Sequence, residues 1–116
     1  QIRILATMPE DAQLAFLRST LEDFEEATTV LDTMVEAWSN GDVDTLNRIA
    51  VVDMKTEAPE IHEALLVRRN ANWAGQIKTL LDGSGTAFIA VGAAHLVGED
   101  SVQAKLAEQG ITATRQ

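Results

Sequence analysis

Cysteine is absent from all 116 residues. Its absence excludes disulfides, cysteine–zinc sites and thiol nucleophiles, and it leaves the compartment open. Aromatic residues are scarce at 4%, so a core must be filled mainly by aliphatic side chains, for which a hydrophobic content of 46% suffices. No apolar run approaches the roughly 20 residues that span a bilayer, and no segment is patterned as a signal peptide. Positive charge is in short supply. Lys and Arg number 9 against 18 Asp and Glu, a formal net charge of -9. Such a surface repels phosphate backbones and anionic lipid, so nucleic acid is not an expected partner. The densest acidic run, Glu22, Asp23, Glu25 and Glu26, reads as a solvated helix face. A P-loop, GxGxxG, a G-x-S-x-G elbow and HExxH are all missing.

What is present suits one ordinary domain. Leu14, Leu17, Leu21, Phe24, Leu31, Val35 and Trp38 fall at alternating spacings of three and four, with Thr28 as the one polar interruption. That spacing predicts a helix over about 9–38 with a narrow apolar seam. Thr7, Pro9 and Glu10 mark its start, and Gly41 its end. The seam packs on its own domain or pairs with another chain's helix, as in a homodimer. Further helices are expected over about 43–52, with Leu46, Ile49 and Ala50 inward, over 58–81, opened by Pro59, and over 100–109, with Asp100 and Gln103 at capping-box spacing and Gly110 as the stop. After the turn "DGSG", "TAFIAV" reads as a buried strand over 86–91, and "ITATR" as a second over 111–115. The expected class is α/β: a mostly helical chain ending in a βαβ unit. Two strands make a poor sheet alone, and the chain opens on Gln1 rather than Met. Both features predict a piece of something larger.

Candidate chemistry lies in the last half. At 100° per residue Leu65, Leu66, Trp73, Ile77 and Leu80 share one face of the third helix, and Arg69 projects into its middle, with His62 and Gln76 seven positions to either side. An arginine among apolar neighbours needs a carboxylate, a phosphate or several carbonyls, unless it pairs with a nearby acid or reaches solvent. His62 reads as a structural histidine. Asn70, at the edge of the face, carries no signal of its own. His95 follows the predicted strand through Gly92, Ala93 and Ala94. There it can project over the strand end as a metal ligand or general base, or cap a loop carbonyl.

Arg69-Asn70 with Trp73, then Val91-Gly92 and His95-Leu96 with Gly98, resembles the carboxyl-terminal part of the TraB/GumN family. That family is similar to the Tiki proteases and to erythromycin-esterase-like proteins. Trp38, Gly41 and Asp42 match a further stretch of it. The resemblance implies a two-part α/β fold, of which this chain is one half. It also implies a hydrolase site, metal-dependent in the Tiki branch. Two Gly-x-x-His motifs, a glutamate and the Arg-Asn pair build that site. On these grounds His95 is expected as metal ligand or base, and Asn70 as an orienting group. Arg69 would hold an anionic substrate group, a catalytic carboxylate or an oxyanion. A second Gly-x-x-His and the family's Leu-Glu-Thr are absent, so a missing N-terminal half is the expected partner and would complete a divalent-metal site. A periplasmic or membrane-anchored location is implied in the same way.

Overall fold

The structure is a computed structural model that describes residues 6–22, 24 and 27–115. Helix α1 covers Glu10–Glu22 and α2 covers Ala27–Asn40, where one helix over 9–38 was expected. Helix α3 is a rod of three pieces: α-helical Val43–Asn47, a π-helical turn Arg48–Val52, and α-helical Asp53–Glu57. Helix α4 repeats that plan with Pro59–His62, a π-helical turn Glu63–Val67, and Arg68–Leu81. A 3-10 turn, Ala93–His95, and a short α5, Val102–Ala107, complete the described elements.

Local chemistry places the boundaries. Gly41 ends α2 in the left-handed region at φ 68, where a side chain is disfavoured. Its carbonyl accepts from Arg115 Nη2 at 2.8 Å, which ties the end of the chain to the end of α2. Asp42 Oδ1 then accepts from the Thr45 N–H at 3.0 Å, capping α3. Those hydrogen bonds hold the Asp42 carboxyl below the usual carboxylate range. Ala58 leaves the helical region, and Pro59 opens α4 in its first turn, where a missing N–H costs nothing. The cap of α5 is Ser101, whose hydroxyl accepts from the Ala104 N–H at 3.3 Å. The expected pair plays no such part: Gln103 donates instead to the Leu96 carbonyl at 2.6 Å.

Two clusters hold the helices together. Ala37, Leu46, Val51, Leu66 and Val97 join α2, α3 and α4 to the loop before α5. Ala74, Val102 and Leu106 join α4 to α5, with Trp73, Ile77 and Ile111 against them. The seam of α1 and α2 belongs to neither. Leu17 is 54% exposed, Leu21 65%, Phe24 75% and Trp38 68%. Within the described residues the seam is a free surface.

The α/β expectation, with its βαβ unit, does not hold. Among the described residues there is no strand and no sheet. Residues 86–91 take no regular secondary structure, and no neighbour pairs with them along a hydrogen-bonding edge. A strand exists only as a ladder with a partner, and extended backbone alone does not make one. The segment is not buried either: Phe88 is 94% exposed. Residues 111–115 lie elsewhere, committed through Ile111 to the α4–α5 cluster and through Arg115 to Gly41. The radius of gyration is 15.8 Å, against about 13 Å for a closely packed chain of this size.

Candidate functional site

The π-helical turns decide which α4 side chains meet. A π turn takes one residue more than an α turn, so it rotates everything beyond it by about one position. His62 and Arg69, seven apart, therefore part company. His62 shares a face with Asn70 instead, and both reach Asp100. His62 Nε2 lies 3.8 Å from Asp100 Oδ2, and Asn70 Nδ2 donates to the Asp100 backbone carbonyl at 2.7 Å. His62 is buried and structural in its surroundings, yet Nε2 makes no hydrogen bond. Asp100, read from sequence as a helix cap, is a small hub. Its carboxylate is 3.3 Å from Lys105 Nζ and 3.8 Å from Lys55 Nζ, and Lys55 also pairs with Glu99.

Asn70 is 1% exposed, and its amide orientation is fixed by its partners. Only the Nδ2 side can donate to a carbonyl, so Oδ1 faces His95, 2.6 Å from Nδ1. Oδ1 cannot donate. His95 Nδ1 must therefore carry the proton, which leaves Nε2 with a free lone pair in the neutral ring. Nε2 has no hydrogen-bond partner among the described residues. The indole of Trp73 lies 4.6 Å from the His95 ring, centroid to centroid, tilted by 51°. The Arg69 guanidinium lies 4.8 Å from the Trp73 ring centroid. Burial first, and then the Arg69 charge, hold His95 below its ordinary value of 6.5.

That depression links pH to stability. The unfolded chain takes up the His95 proton at a higher pH than the folded chain does. The stability present above 6.5 is therefore lost as pH falls from there through the folded value. Melting temperature should drop over that interval, and His95→Asn should remove this part of the slope. A slope that is the same with and without His95 would contradict the buried neutral ring.

Arg69 and His95 face a cleft of about 690 Å³ between α4 and the segment 89–96. Its walls are apolar: Trp73, Ile77 and Leu80 from α4, with Ile89, Val91 and Leu96 opposite. Gly92 lies at its edge with an ordinary extended backbone, φ -64 and ψ 145, and room for a Cβ. The turn that does demand glycine is Gly98, at φ 80.

The chain matches the TraB/PrgY/gumN family over residues 1–115. It is a member of that family. No curated protein and no solved structure matches it. In this TraB/PrgY/gumN protein the fold brings the three predicted site residues together: Arg69 and His95 lie against the indole of Trp73, and Asn70 bonds His95. Sequence reasoning took Asp100 only as a helix cap and Trp73 only as part of an apolar face and of the family motif. The Arg69–Trp73 pair follows from i, i+4 spacing within α4, whereas the contacts of Asp100 with His62 and Asn70 and of Trp73 with His95 depend on the path of the loop after α4. His95 suits one position in a metal's ligand set: a neutral ring whose second nitrogen is anchored by a carbonyl oxygen is the usual arrangement. Among the described residues no three His, Asp or Glu side chains converge to hold a metal.

Proposed function

We propose that this TraB/PrgY/gumN protein is a metal-assisted hydrolase, with peptides as one substrate class, and that this chain contributes His95, Asn70 and Arg69 to its site. The observation that carries the reading is the Asn70–His95 bond, which fixes a neutral imidazole with Nε2 free beside the cleft. Nε2 serves as a metal ligand or as the base that takes a proton from water. Asn70 holds the tautomer, and Arg69 receives negative charge on the substrate or in the transition state. A divalent metal, when bound, would supply an activated water. The described residues offer one ligand, and the reading assigns the others to a preceding half of the protein. The exposed surface, 8472 Å², against about 6,200 Å² for a compact chain of this mass, is in keeping with a partner segment. An exported or membrane-anchored setting rests on family likeness alone. Among the described residues no helix is long and apolar enough to cross a membrane.

The test uses the full-length protein, with divalent-metal content and peptide hydrolysis compared between wild type and His95→Asn. Loss of both supports the reading, and unchanged hydrolysis overturns it.

The exposed seam favours a second reading, a non-catalytic binding or oligomerisation module. Under it, sedimentation should show a dimer that strengthens with concentration and disappears in Leu21→Asp, with helical content unchanged. Leu21 is 65% exposed, so the substitution should not disturb the fold. A monomer at all concentrations would remove the homodimer.

A further inference from the structure

Arg69 is partly buried and has no ion pair among the described residues, in a chain with 18 acidic side chains. Glu63, on the turn before it, is committed to Arg68 at 3.2 Å, and Asp100, whose carbonyl holds the adjacent Asn70, to Lys105 at 3.3 Å. The guanidinium donates once, from Nη1 to the Leu65 carbonyl at 3.3 Å. Its remaining N–H groups have no acceptor among the described residues, and the indole of Trp73 lies against the planar group. A stacked guanidinium with free donors is pre-oriented for a two-pronged carboxylate contact. Among the described residues no second cation lines the cleft, and His95 beside it is the neutral ring described above. One cation suits a monoanion better than a phosphoryl dianion. Beyond Arg69 and His95 the one other polar side chain of the described lining is Gln76, whose amide donates to Asn72 Oδ1, and the aliphatic wall is Ile77, Leu80, Ile89 and Val91. About 690 Å³ lies within the range of small-ligand sites.

We infer that the cleft binds a monocarboxylate carried on an apolar body, with the carboxylate on Arg69 and the body along Ile77, Leu80 and Ile89. This deepens the hydrolase reading by naming the substrate's end group, and it rests on that reading only in treating the cleft as the substrate's side of His95.

The probes are N-acetyl-leucine, N-acetyl-leucinamide and acetate, titrated calorimetrically into the full-length protein. The amide has the same body without the charge, and acetate has the charge without the body. N-acetyl-leucine should bind, and the other two should bind about 10–100-fold more weakly, the loss expected when a charge-assisted contact or the apolar burial is removed. Arg69→Gln should remove the preference for acid over amide. Leu80→Ser, at a site 57% exposed and so harmless to the fold, should weaken the acid while keeping that preference. Equal affinity for acid and amide, no binding of the acid, or indifference to Arg69→Gln each overturns the inference and returns Arg69 to a carboxylate of the protein itself. Binding as described, in a protein that hydrolyses nothing, would leave the inference standing and remove the hydrolase reading.

Discussion

The full-length His95→Asn variant should lose about 10²–10⁴-fold in turnover, the usual contribution of a positioned acid–base group, while still folding. The choice of asparagine follows from the geometry. Its side-chain N–H₂ can take the place of Nδ1–H and keep donating to Asn70 Oδ1, while nothing replaces Nε2. The ring contact with Trp73 is lost, which costs about 0.5–1.5 kcal/mol. Alanine is the poorer test. His95 is 8% exposed, and truncation would strand Asn70 Oδ1 in a buried place, at about 1–3 kcal/mol, with a cavity besides. A drop in activity would then be inseparable from a drop in folded protein. Steady-state turnover and thermal melting on the same preparation decide the matter. Full activity in the asparagine variant would make His95 a structural partner of Asn70.

Gly98→Ala should be strongly destabilising. Gly98 sits at φ 80, and a Cβ there would lie 2.3 Å from Asn47 Oδ1. The left-handed backbone alone costs an alanine about 1–2 kcal/mol, and forcing an atom into a packed site adds about 1–3 kcal/mol. Asn47 Oδ1 is already buried without a hydrogen bond, so rotating it aside breaks nothing it now makes. The two costs can therefore be separated. Asn47→Ala should recover the steric part of the Gly98→Ala loss and none of the backbone part, in a double-mutant cycle read by denaturant unfolding. Gly98 also lies between His95 and Asp100, whose carbonyl holds the Asn70 amide. The same substitution should loosen the His95 tautomer, visible in the imidazole nitrogen shifts. A Gly98→Ala protein that unfolds like wild type would refute the tight turn.

The sequence by itself determined the helical character of most of the chain, its breaks at Gly41 and Pro59, and the three residues worth testing. These are local matters. Caps, prolines and apolar spacing act within a few residues, and the family likeness rests on short motifs. Tertiary structure decided the rest, because the rest depends on what lies opposite. "TAFIAV" has every local mark of a buried strand, and whether it is one depends on an edge that no residue within it can supply. The seam from Leu14 to Trp38 is an amphipathic face whatever covers it, and periodicity cannot say that nothing in the described chain does. The π-helical turn Glu63–Val67 leaves no mark in composition. It rotates the start of α4 by one residue relative to its end, moving His62 away from Arg69 and onto the Asp100 side. Asn70, which periodicity leaves silent and only the family motif marks, is held because two loop groups thirty and twenty-five residues away converge on it. Spacing along one helix can place a residue on a face, but the chemistry of that face is set by residues distant in sequence.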